Sequence, residues 1–382
     1  MSQVDKDYFA GVGVSVKTDS YEAGQEAAAI ACGDIALPII VFLFLTDEYT
    51  PSAVLDGVKK VVGGAKIAGA SMAGLFTRNE VLTRGVGVLA LAGKNLSAKT
   101  AMASFSENSA KKAGAKVGLS LAQGSNETGA IFCFPDGLAP NIAKAISGLY
   151  NEMGPRYVYA GGGTGDNLRF VQTYQLTENG VYSDSIVAAL IEGIRFVSKV
   201  DHDWIPQNKT LVITDAEGKI VRKIDGKPAF QVYSSILGID KDDSSYYFMK
   251  NPIGITDAFG KQIVRDPLKV IDDDAIVFVS EIPSRAIACV LEPDGKRSFA
   301  LAQSLSETYK ESKNPFFSLV FYCVSRSLLL QDDYKQEIET LLHPLSNDFP
   351  VLGCLTFGEI GAYGRVPLLH NKSICIAFGC EL

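Results

Sequence analysis

The sequence predicts an α/β fold of two domains, each with a β-sheet flanked by helices and built from a repeated strand–helix–strand–glycine loop–strand unit. Two observations support this prediction. A short apolar strand runs into a glycine-rich loop at three places, residues 65–74, 157–166 and 349–361. An earlier apolar strand and a helical segment precede each loop, and the spacing of about 30 residues is the length of a strand–helix–strand crossover. A unit that recurs in this way indicates the framework of the fold.

The elements of the first unit follow from apolar periodicity and from residues that start or end helices. An alanine-rich helix is predicted to end at Gly33, and Pro51 suits the first turn of the next helix. The apolar run 39–45 is rich in branched residues, which is typical of a strand covered on both faces. The predicted strands are 12–16, 39–45, 67–68 and 85–91, and the predicted helices are 20–33 and 52–64.

The second and third units repeat this order. In the second unit the predicted strands are 130–134, 157–160, 170–175 and 186–191, and the helices are 111–122 and 141–153. In the third unit the predicted strands are 286–291, 318–324, 351–352 and 373–378, and the helices are 297–309 and 332–342. Between these units, the predicted elements are a hairpin over 211–224, a helix over 228–237 and a strand over 275–279. The polar and aromatic segment 201–206 interrupts the pattern, and we place the domain boundary near residue 225, giving domains 1–225 and 226–382.

Length, composition and charge limit the class of protein. A chain of 382 residues is long enough for two domains, and contents of 47% hydrophobic and 21% charged residues are typical of a globular protein. The net charge of −7 argues against a nucleic acid or an anionic membrane as partner, since both require a basic surface.

Targeting signals, metal sites and disulfides are not predicted. The N-terminus has no basic region that leads into an apolar run, and the apolar stretch 35–45 contains Pro38 and is too short to cross a bilayer. The seven cysteines include no C-x-x-C pair, and the three histidines are far apart in the sequence. We therefore expect a cytoplasmic protein with no membrane insertion, no metal and no cofactor; the sequence does not indicate its oligomeric state.

The glycine loops do not match the common nucleotide or nucleophile motifs. A dinucleotide loop opens directly into a helix, whereas residues 166–173 alternate like a strand. The segment around Ser71 lacks the final glycine of a nucleophile elbow, and no helix follows it. We predict that all three loops lie at the C-terminal ends of strands and that none leads directly into a helix.

Polar residues follow the predicted central strands, where open α/β sheets bind ligands. They are Asp47, Ser71, Asp136, Thr164, Asp166, Cys323, Arg326, Cys354 and Glu359. Individually, Asp136 and Gly137 could form only a turn, and Arg326 and Glu359 could form a structural ion pair. As a set that converges at one edge of each sheet, they favour a pocket for a small molecule.

A cysteine-dependent enzyme is the main alternative. Cys323 or Cys354 could act as a catalytic thiol if a nearby cation lowered its pKa, and Arg326 is three residues beyond Cys323. No histidine is identifiably paired with either thiol. No catalytic residue is predicted, and the sequence leaves open whether the protein is an enzyme.

Several motifs together resemble the FIST family, which consists of a FIST N and a FIST C domain. They are IAGASMAG (67–74), FPDGL (134–138), YAGGGTGDN (159–167), TDAEGKIV (214–221), RDPLKV (265–270), FYCVSR (321–326), VLGCLTFGEIG (351–361) and LHNKS (369–373). The sequence departs from the family at Ala70, at Leu75-Phe76, where a glycine and an acidic residue are frequent, and at Ser373, where threonine is usual. The first departure weakens the prediction of a site in the first unit.

The resemblance implies an intracellular sensory domain that binds a small polar metabolite, with amino acids proposed, and passes the signal to a separate partner protein. It implies no established catalytic residues. From position and motif together, the expected ligand contacts are Cys323, Arg326, Cys354, Gly358, Glu359 and Asn371 in the C-terminal half, and Asp136, Gly161, Gly162, Gly163, Asp166 and Asn167 in the N-terminal half. In the C-terminal site, the fork of Arg326 would hold an amino acid's carboxylate, with Glu359 and Asn371 at the ammonium.

Overall fold

A computed structural model describes residues 7–33, 37–125, 128–257, 260–294 and 297–382 of the chain. Three copies of one α/β unit make up most of the fold, and a further sheet is inserted in the third copy. The predicted α/β class, with sheets flanked by helices, is confirmed.

The first unit has the predicted order of elements. Asp19 caps its first helix, because its carboxylate accepts a hydrogen bond from the backbone N–H of Glu22 at 2.8 Å. Gly33, with φ of 44°, ends that helix. The elements are β1 (Tyr8–Ser15), α1 (Ser20–Cys32), β2 (Ile40–Leu45), α2 (Pro51–Val62), β3 (Lys66–Ser71), β4 (Gly74–Phe76), β5 (Val81–Leu82) and β6 (Val86–Gly93).

The second unit repeats the first, and the prediction missed its first strand and misplaced another. Its elements are β7 (Ser97–Ser104), α3 (Ala110–Ala122), β8 (Gly129–Pro135), α4 (Ile142–Met153), β9 (Val158–Gly162), β10 (Gln175–Thr177), β11 (Gly180–Tyr182) and β12 (Ser185–Glu192). The strand expected over 170–175 was wrong, since pairing begins only at Gln175. Positive φ angles at Asn167, Leu168 and Phe170 keep the preceding segment out of the pleated conformation.

The third unit begins earlier than predicted, with β13 (Arg195–Asp201). An inserted sheet then follows, formed by β14 (Trp204–Glu217), β15 (Ile220–Ile224), β16 (Lys227–Pro228), α5 (Ala229–Leu237), α6 (Ser244–Lys250), β17 (Ile253–Thr256), β18 (Gln262–Arg265), β19 (Pro267–Val270), β20 (Ile276–Phe278) and β21 (Ile287–Pro293). The unit resumes with α7 (Arg297–Ser312), β22 (Pro315–Cys323), α8 (Val324–Leu330), α9 (Tyr334–Leu342), β23 (Val351–Thr356), β24 (Glu359–Tyr363), β25 (Val366–His370) and β26 (Ile374–Cys380). The strand predicted over 286–291 therefore exists as β21, but it belongs to the inserted sheet. The domain division near residue 225 stays a prediction.

The three units have the same sheet topology. Their strand orders are β1-β6-β2-β3, β7-β12-β8-β9 and β13-β26-β22-β23. In each of these three orders, the last two strands named run parallel to each other, and the other adjacent strands run antiparallel.

Each unit donates a hairpin to the sheet of another unit. The β4–β5 hairpin of the first unit pairs with β23, the β10–β11 hairpin of the second with β3, and the β24–β25 hairpin of the third with β9. Each sheet therefore has six strands, of which two come from another unit. The exchange runs in a closed cycle and ties the three units into one body.

The inner faces of the three sheets share one apolar core. Phe42 and Phe44 of β2, Phe134 of β8 and Phe321 of β22 contact each other with ring centroids 5.3–6.5 Å apart. Helices cover the outer faces, as α1 and α2 do for the first sheet. The run 40–45 is buried at every position, as predicted for a strand covered on both faces, and its inner cover consists of the other two sheets. No helix in the described part of the chain is long and apolar enough to span a membrane.

Candidate ligand site at the junction of the glycine loops

The three glycine loops meet at the C-terminal ends of β3, β9 and β23. The N–H of Ala73 donates to the carbonyl of Leu355 at 3.0 Å, and the N–H of Gly165 donates to the carbonyl of Ser71 at 3.0 Å. The second and third loops are joined through Gly163, whose N–H donates to Gly358 at 2.8 Å and whose carbonyl accepts from Phe357 at 2.9 Å. We call this meeting point the loop junction. The prediction that these loops end strands and precede no helix is confirmed.

Close approach of backbones explains why glycine is needed here. A Cβ on Gly163 would overlap the carbonyl oxygen of Phe357, and a Cβ on Gly161 would overlap that of Cys133. Gly162 faces the side chain of Thr356 at similarly short range. These three glycines allow the loops to pack against each other and against β8. This close packing is enough to explain the glycine motif.

Asp136 and Asp166 of the second unit hold backbone in place. The carboxylate of Asp136 accepts hydrogen bonds from Thr173 Oγ1 at 2.8 Å, from the Leu138 N–H at 2.9 Å and from the Asp184 N–H at 3.0 Å. The carboxylate of Asp166 accepts from three consecutive backbone N–H groups, those of residues 170–172, at 2.6–3.1 Å. Protein donors thus occupy both oxygens of each carboxylate.

Residues 167–174 form a segment that lies across the loop junction, and we call it the crossing segment. Asn167, Leu168 and Phe170 have φ angles of 53°, 64° and 54°, a conformation that is strained for Leu and Phe. Arg169 pairs with Asp47 of the first unit, Nε to Oδ2 at 2.8 Å, and the Phe170 ring lies 5.5 Å from that of Phe357 in the third unit. The segment therefore contacts all three units.

Arg326 is fully buried and has its five N–H groups occupied. Nη1 and Nη2 donate to the carboxylate of Asp203 at 2.6 and 3.1 Å. Nη2 and Nε donate to the carboxylate of Glu337 at 2.6 and 3.1 Å. Nη1 also donates to the carbonyl of Lys372 at 3.1 Å. The two carboxylates raise the pKa of Arg326 against the opposing effect of burial.

This arrangement changes the interpretation of Arg326. Its structural ion pairs are with Asp203 and Glu337 and not with Glu359, and a ligand carboxylate would have to displace one of these partners. The sequence analysis missed both acids. Asp203 lies in the polar segment before the inserted sheet and Glu337 on α9, so only the position of Glu337 on a buried helix face could have indicated a role.

A second buried ion pair is formed by Lys372, whose carbonyl accepts from Arg326. Lys372 Nζ is 3.0 Å from Asp266 Oδ1 and donates to Ser325 Oγ at 2.9 Å, and Ser325 donates to the other oxygen of Asp266 at 2.5 Å. Asp266 belongs to the inserted sheet region, so this pair joins that sheet to the third unit. The sequence analysis missed it as well.

Glu359 is buried at the start of β24, where Ser373 and Thr356 donate to its two oxygens at 2.7 and 2.8 Å. Burial raises the pKa of its carboxyl to about 8, so this group is largely protonated at neutral pH. Burial also raises the pKa of the Cys323 and Cys354 thiols well above its usual range, and the nearby Glu359 acts in the same direction. The two thiols are therefore poor thiolates, the opposite of what nucleophilic catalysis needs.

Comparison with known proteins identifies the family. The FIST N domain matches residues 39–227, and the FIST C domain matches residues 229–362. The chain belongs to the FIST family. FIST domains are associated with sensory signal transduction. An uncharacterized protein of Methanocaldococcus jannaschii is 23% identical over 243 residues, which cover 56% of this chain and 47% of the relative. The chain thus spans about half the length of this curated relative.

Two buried acceptors at the end of β25 have no hydrogen-bond partner among the described residues. The Oδ1 atom of Asn371 is buried without a hydrogen bond, and so is Nδ1 of His370. His370 Nε2 lies 3.2 Å from the carbonyl of Gly361, and burial lowers the pKa of His370 to about 3, so the ring is neutral and Nδ1 is a bare acceptor. The Asn371 amide lies beside Gly358, whose φ of 92° and buried surroundings favour glycine.

The predicted site residues are thus distributed unevenly. The junction of this FIST protein brings together Gly161, Gly162, Gly163, Gly358, Glu359 and Asn371, with Cys323 and Cys354 buried beneath. Asn167 is part of the crossing segment, and the carboxylates of Asp136 and Asp166 accept hydrogen bonds from that segment. Arg326 lies apart from these groups in its own ion-pair network.

Proposed function

We propose that this protein is a non-catalytic sensory protein of the cytoplasm that binds a small polar metabolite at the loop junction. A separate signalling protein then responds to the conformational change that the ligand causes. The observation that supports the site is the partnerless buried acceptor Asn371 Oδ1, whose amide lies beside Gly358 of the third glycine loop. Buried polar atoms without a partner are rare in folded proteins and are costly unless something binds them.

The chemistry of the junction favours a ligand that donates hydrogen bonds. Asn371 contributes an unpartnered acceptor, whereas both oxygens of Glu359 already accept hydrogen bonds from Ser373 and Thr356. An ammonium, amide or hydroxyl group matches such an acceptor, and an amino acid remains within this class. Its carboxylate, however, would need a partner other than Arg326, because that guanidinium is fully engaged.

The crossing segment provides a physical route from ligand to partner. It lies across the junction and contacts all three units, while its Phe170 and Val171 are 64% and 79% exposed. Strain at Leu168 and Phe170 means that a small change beneath the segment can release it into another conformation. A partner that binds these exposed apolar side chains would sense that change.

The raised thiol pKa values of Cys323 and Cys354 do not favour the alternative of a cysteine-dependent enzyme. The test that separates the two is alkylation with iodoacetamide as a function of pH. A thiol that reacts with an apparent pKa well below about 8.5 would support the enzyme and count against a purely sensory protein.

A thermal-shift screen over amino acids and central metabolites tests the proposed ligand binding, since a ligand that binds only the native state raises Tm. We expect at least one compound to raise Tm for the wild type and for the exposed control Asn208→Ala, and to lose its effect in Asn371→Ala. A compound that shifts Asn371→Ala as much as the wild type binds elsewhere. A screen in which no compound raises Tm, or in which every active compound shifts Asn371→Ala as much as the wild type, would refute this site.

A further inference from the structure

A polar cleft lies far from the loop junction, where the first sheet meets the third. The cyclic exchange of hairpins creates three seams, each between the edge strand of one sheet and a hairpin that is docked on the neighbouring sheet. At the seam between β7 and the β10–β11 hairpin, the carboxylate of Glu178 accepts from Thr100 Oγ1 at 2.7 Å and from Lys66 Nζ at 2.8 Å. Protein groups thus satisfy each other at that seam.

The corresponding seam between β1 and the β4–β5 hairpin is open. A cleft of about 590 Å³ separates the edge strand β1 from the hairpin turn 77–80 and from the chain that enters β23. Its volume is in the range of small-molecule sites. Val12, Val14 and Ile30 supply an apolar wall, and the turn supplies most of the polar groups.

Arg78 is the main cation of this cleft. Its Nη1 donates to the carbonyls of Leu342 and Leu345 at 3.4 and 3.2 Å, and its guanidinium carbon lies 5.0 Å from the centre of the Phe349 ring. These contacts fix one end of the group. Its Nε and Nη2 are shielded from solvent and have no hydrogen-bond partner among the residues that the structure describes.

The two partnerless N–H groups form one edge of the guanidinium. In the same chain, Arg326 uses the Nε and Nη2 edge to hold the carboxylate of Glu337, at 3.1 and 2.6 Å. This edge presents two parallel donors, which a carboxylate matches with both oxygens. Arg78 leaves this edge without a hydrogen-bond partner, whereas Arg326 has used it.

The rest of the cleft limits the ligand further. Asp348 and Glu80 bring two carboxylates to the same cleft, and Asn79 and Asn347 bring two amides. With one arginine and two acids, the cleft disfavours a second negative charge on the ligand. It favours a hydroxyl or ammonium donor that the acids can accept.

We propose that this cleft binds a small monocarboxylate with a hydroxyl or amino group on the neighbouring carbon, and that Arg78 turns its Nε–Nη2 edge, which is shielded from solvent in this structure, toward the carboxylate. The donor group faces Asp348 or Glu80, and a short apolar side chain faces Val12 and Val14. The site is separate from the loop junction and does not depend on it.

L-Lactate and L-alanine are suitable probes, with L-lactamide as the neutral analogue and succinate as the doubly charged one. Affinity is measured by calorimetric titration at constant ionic strength. We expect lactate or alanine to bind the wild type with at least tenfold higher affinity than lactamide or succinate. Arg78→Lys keeps the charge and loses the fork, so it should weaken binding at least tenfold, while the exposed control Arg222→Lys leaves it unchanged.

Glu80→Gln keeps the test decisive if Arg78→Lys does not fold. Glu80 is exposed on the turn, and its loss should weaken alanine more than acetate, which has no donor group. Asn371→Ala separates this site from the loop junction, since it should leave lactate binding intact. Equal binding of lactate and lactamide, equal binding by Arg78→Lys and the wild type, or no binding of either probe at millimolar concentration would overturn the proposal.

Discussion

Replacing Arg326 by lysine should strongly destabilise the fold. Arg326 makes four hydrogen bonds to the carboxylates of Asp203 and Glu337, and all three side chains are buried. Lysine keeps the positive charge but has a single nitrogen, which cannot reach both carboxylates in the planar arrangement of a guanidinium. At least one carboxylate would then remain buried with unsatisfied oxygens.

The size of the effect follows from the hydrogen bonds lost. A hydrogen bond to a charged group contributes roughly 1.5–3 kcal/mol, and at least two of the four should be lost, which gives about 3–6 kcal/mol. A similar cost, about 3–5 kcal/mol, is typical when a buried ion pair loses one partner. The surrounding Trp204 and Tyr322 rings, 5.2 and 5.7 Å from the guanidinium carbon, cannot replace these bonds.

Urea unfolding followed by fluorescence gives the free energy of unfolding directly. Arg222→Lys is the matched control, because Arg222 is exposed and its pairs with Glu217 and Asp215 lie in solvent, where about 0.5 kcal/mol or less is expected. A change below about 1 kcal/mol for Arg326→Lys, or one equal to that of the control, would refute the assignment of a structural role to this network.

Three further predictions concern the loop junction. Folding raises the pKa of Glu359 from 4.5 to about 8, so the folded state favours the protonated carboxyl. The resulting stabilisation is complete at low pH and is lost as the pH rises from about 4.5 to 8. Glu359→Gln should flatten this part of a pH–stability curve. His370 has the opposite sign, because its pKa falls from 6.5 to about 3 on folding; its neutral form favours the folded state as the pH rises through this range, and His370→Gln should remove that slope below pH 6.5. Gly163→Ala places a methyl group against the carbonyl of Phe357 and should lower the free energy of unfolding by roughly 1–3 kcal/mol, whereas the control Gly64→Ala, where a Cβ has no atom within 4 Å and φ is not positive, should not produce this clash.

Local signals in the sequence determined much of the fold. Short apolar runs rich in branched residues, such as 40–45, indicate buried strands, and residues such as Gly33 mark helix ends without reference to the rest of the chain. The three glycine loops, which recur with similar spacing, predicted the repeated unit and the ends of β3, β9 and β23. These features depend on neighbours within a few residues, so they can be read from the sequence.

The candidate site was only partly predictable. Position after a strand correctly brought Glu359, Gly358 and the 161–163 loop together at the junction, because strand ends in repeated units meet there. The same rule gave no indication that Arg326, only three residues beyond Cys323, turns into a separate network on α8. Its partners Asp203 and Glu337 are 123 and 11 residues away, and sequence patterns carry little information about such pairs.

Only the tertiary structure decided how the units assemble. Residues 74–82 and 175–182 form hairpins whose partners lie on the sheets of other units, and no local pattern distinguishes a hairpin that stays from one that is exchanged. The inserted sheet likewise takes strand 287–293 away from the unit in which its sequence position placed it. The choice depends on which edge strand offers free backbone groups and which apolar face remains uncovered, and both are properties of the assembled chain. For this reason the cleft beside Arg78, which exists only between two exchanged partners, has no counterpart in the sequence.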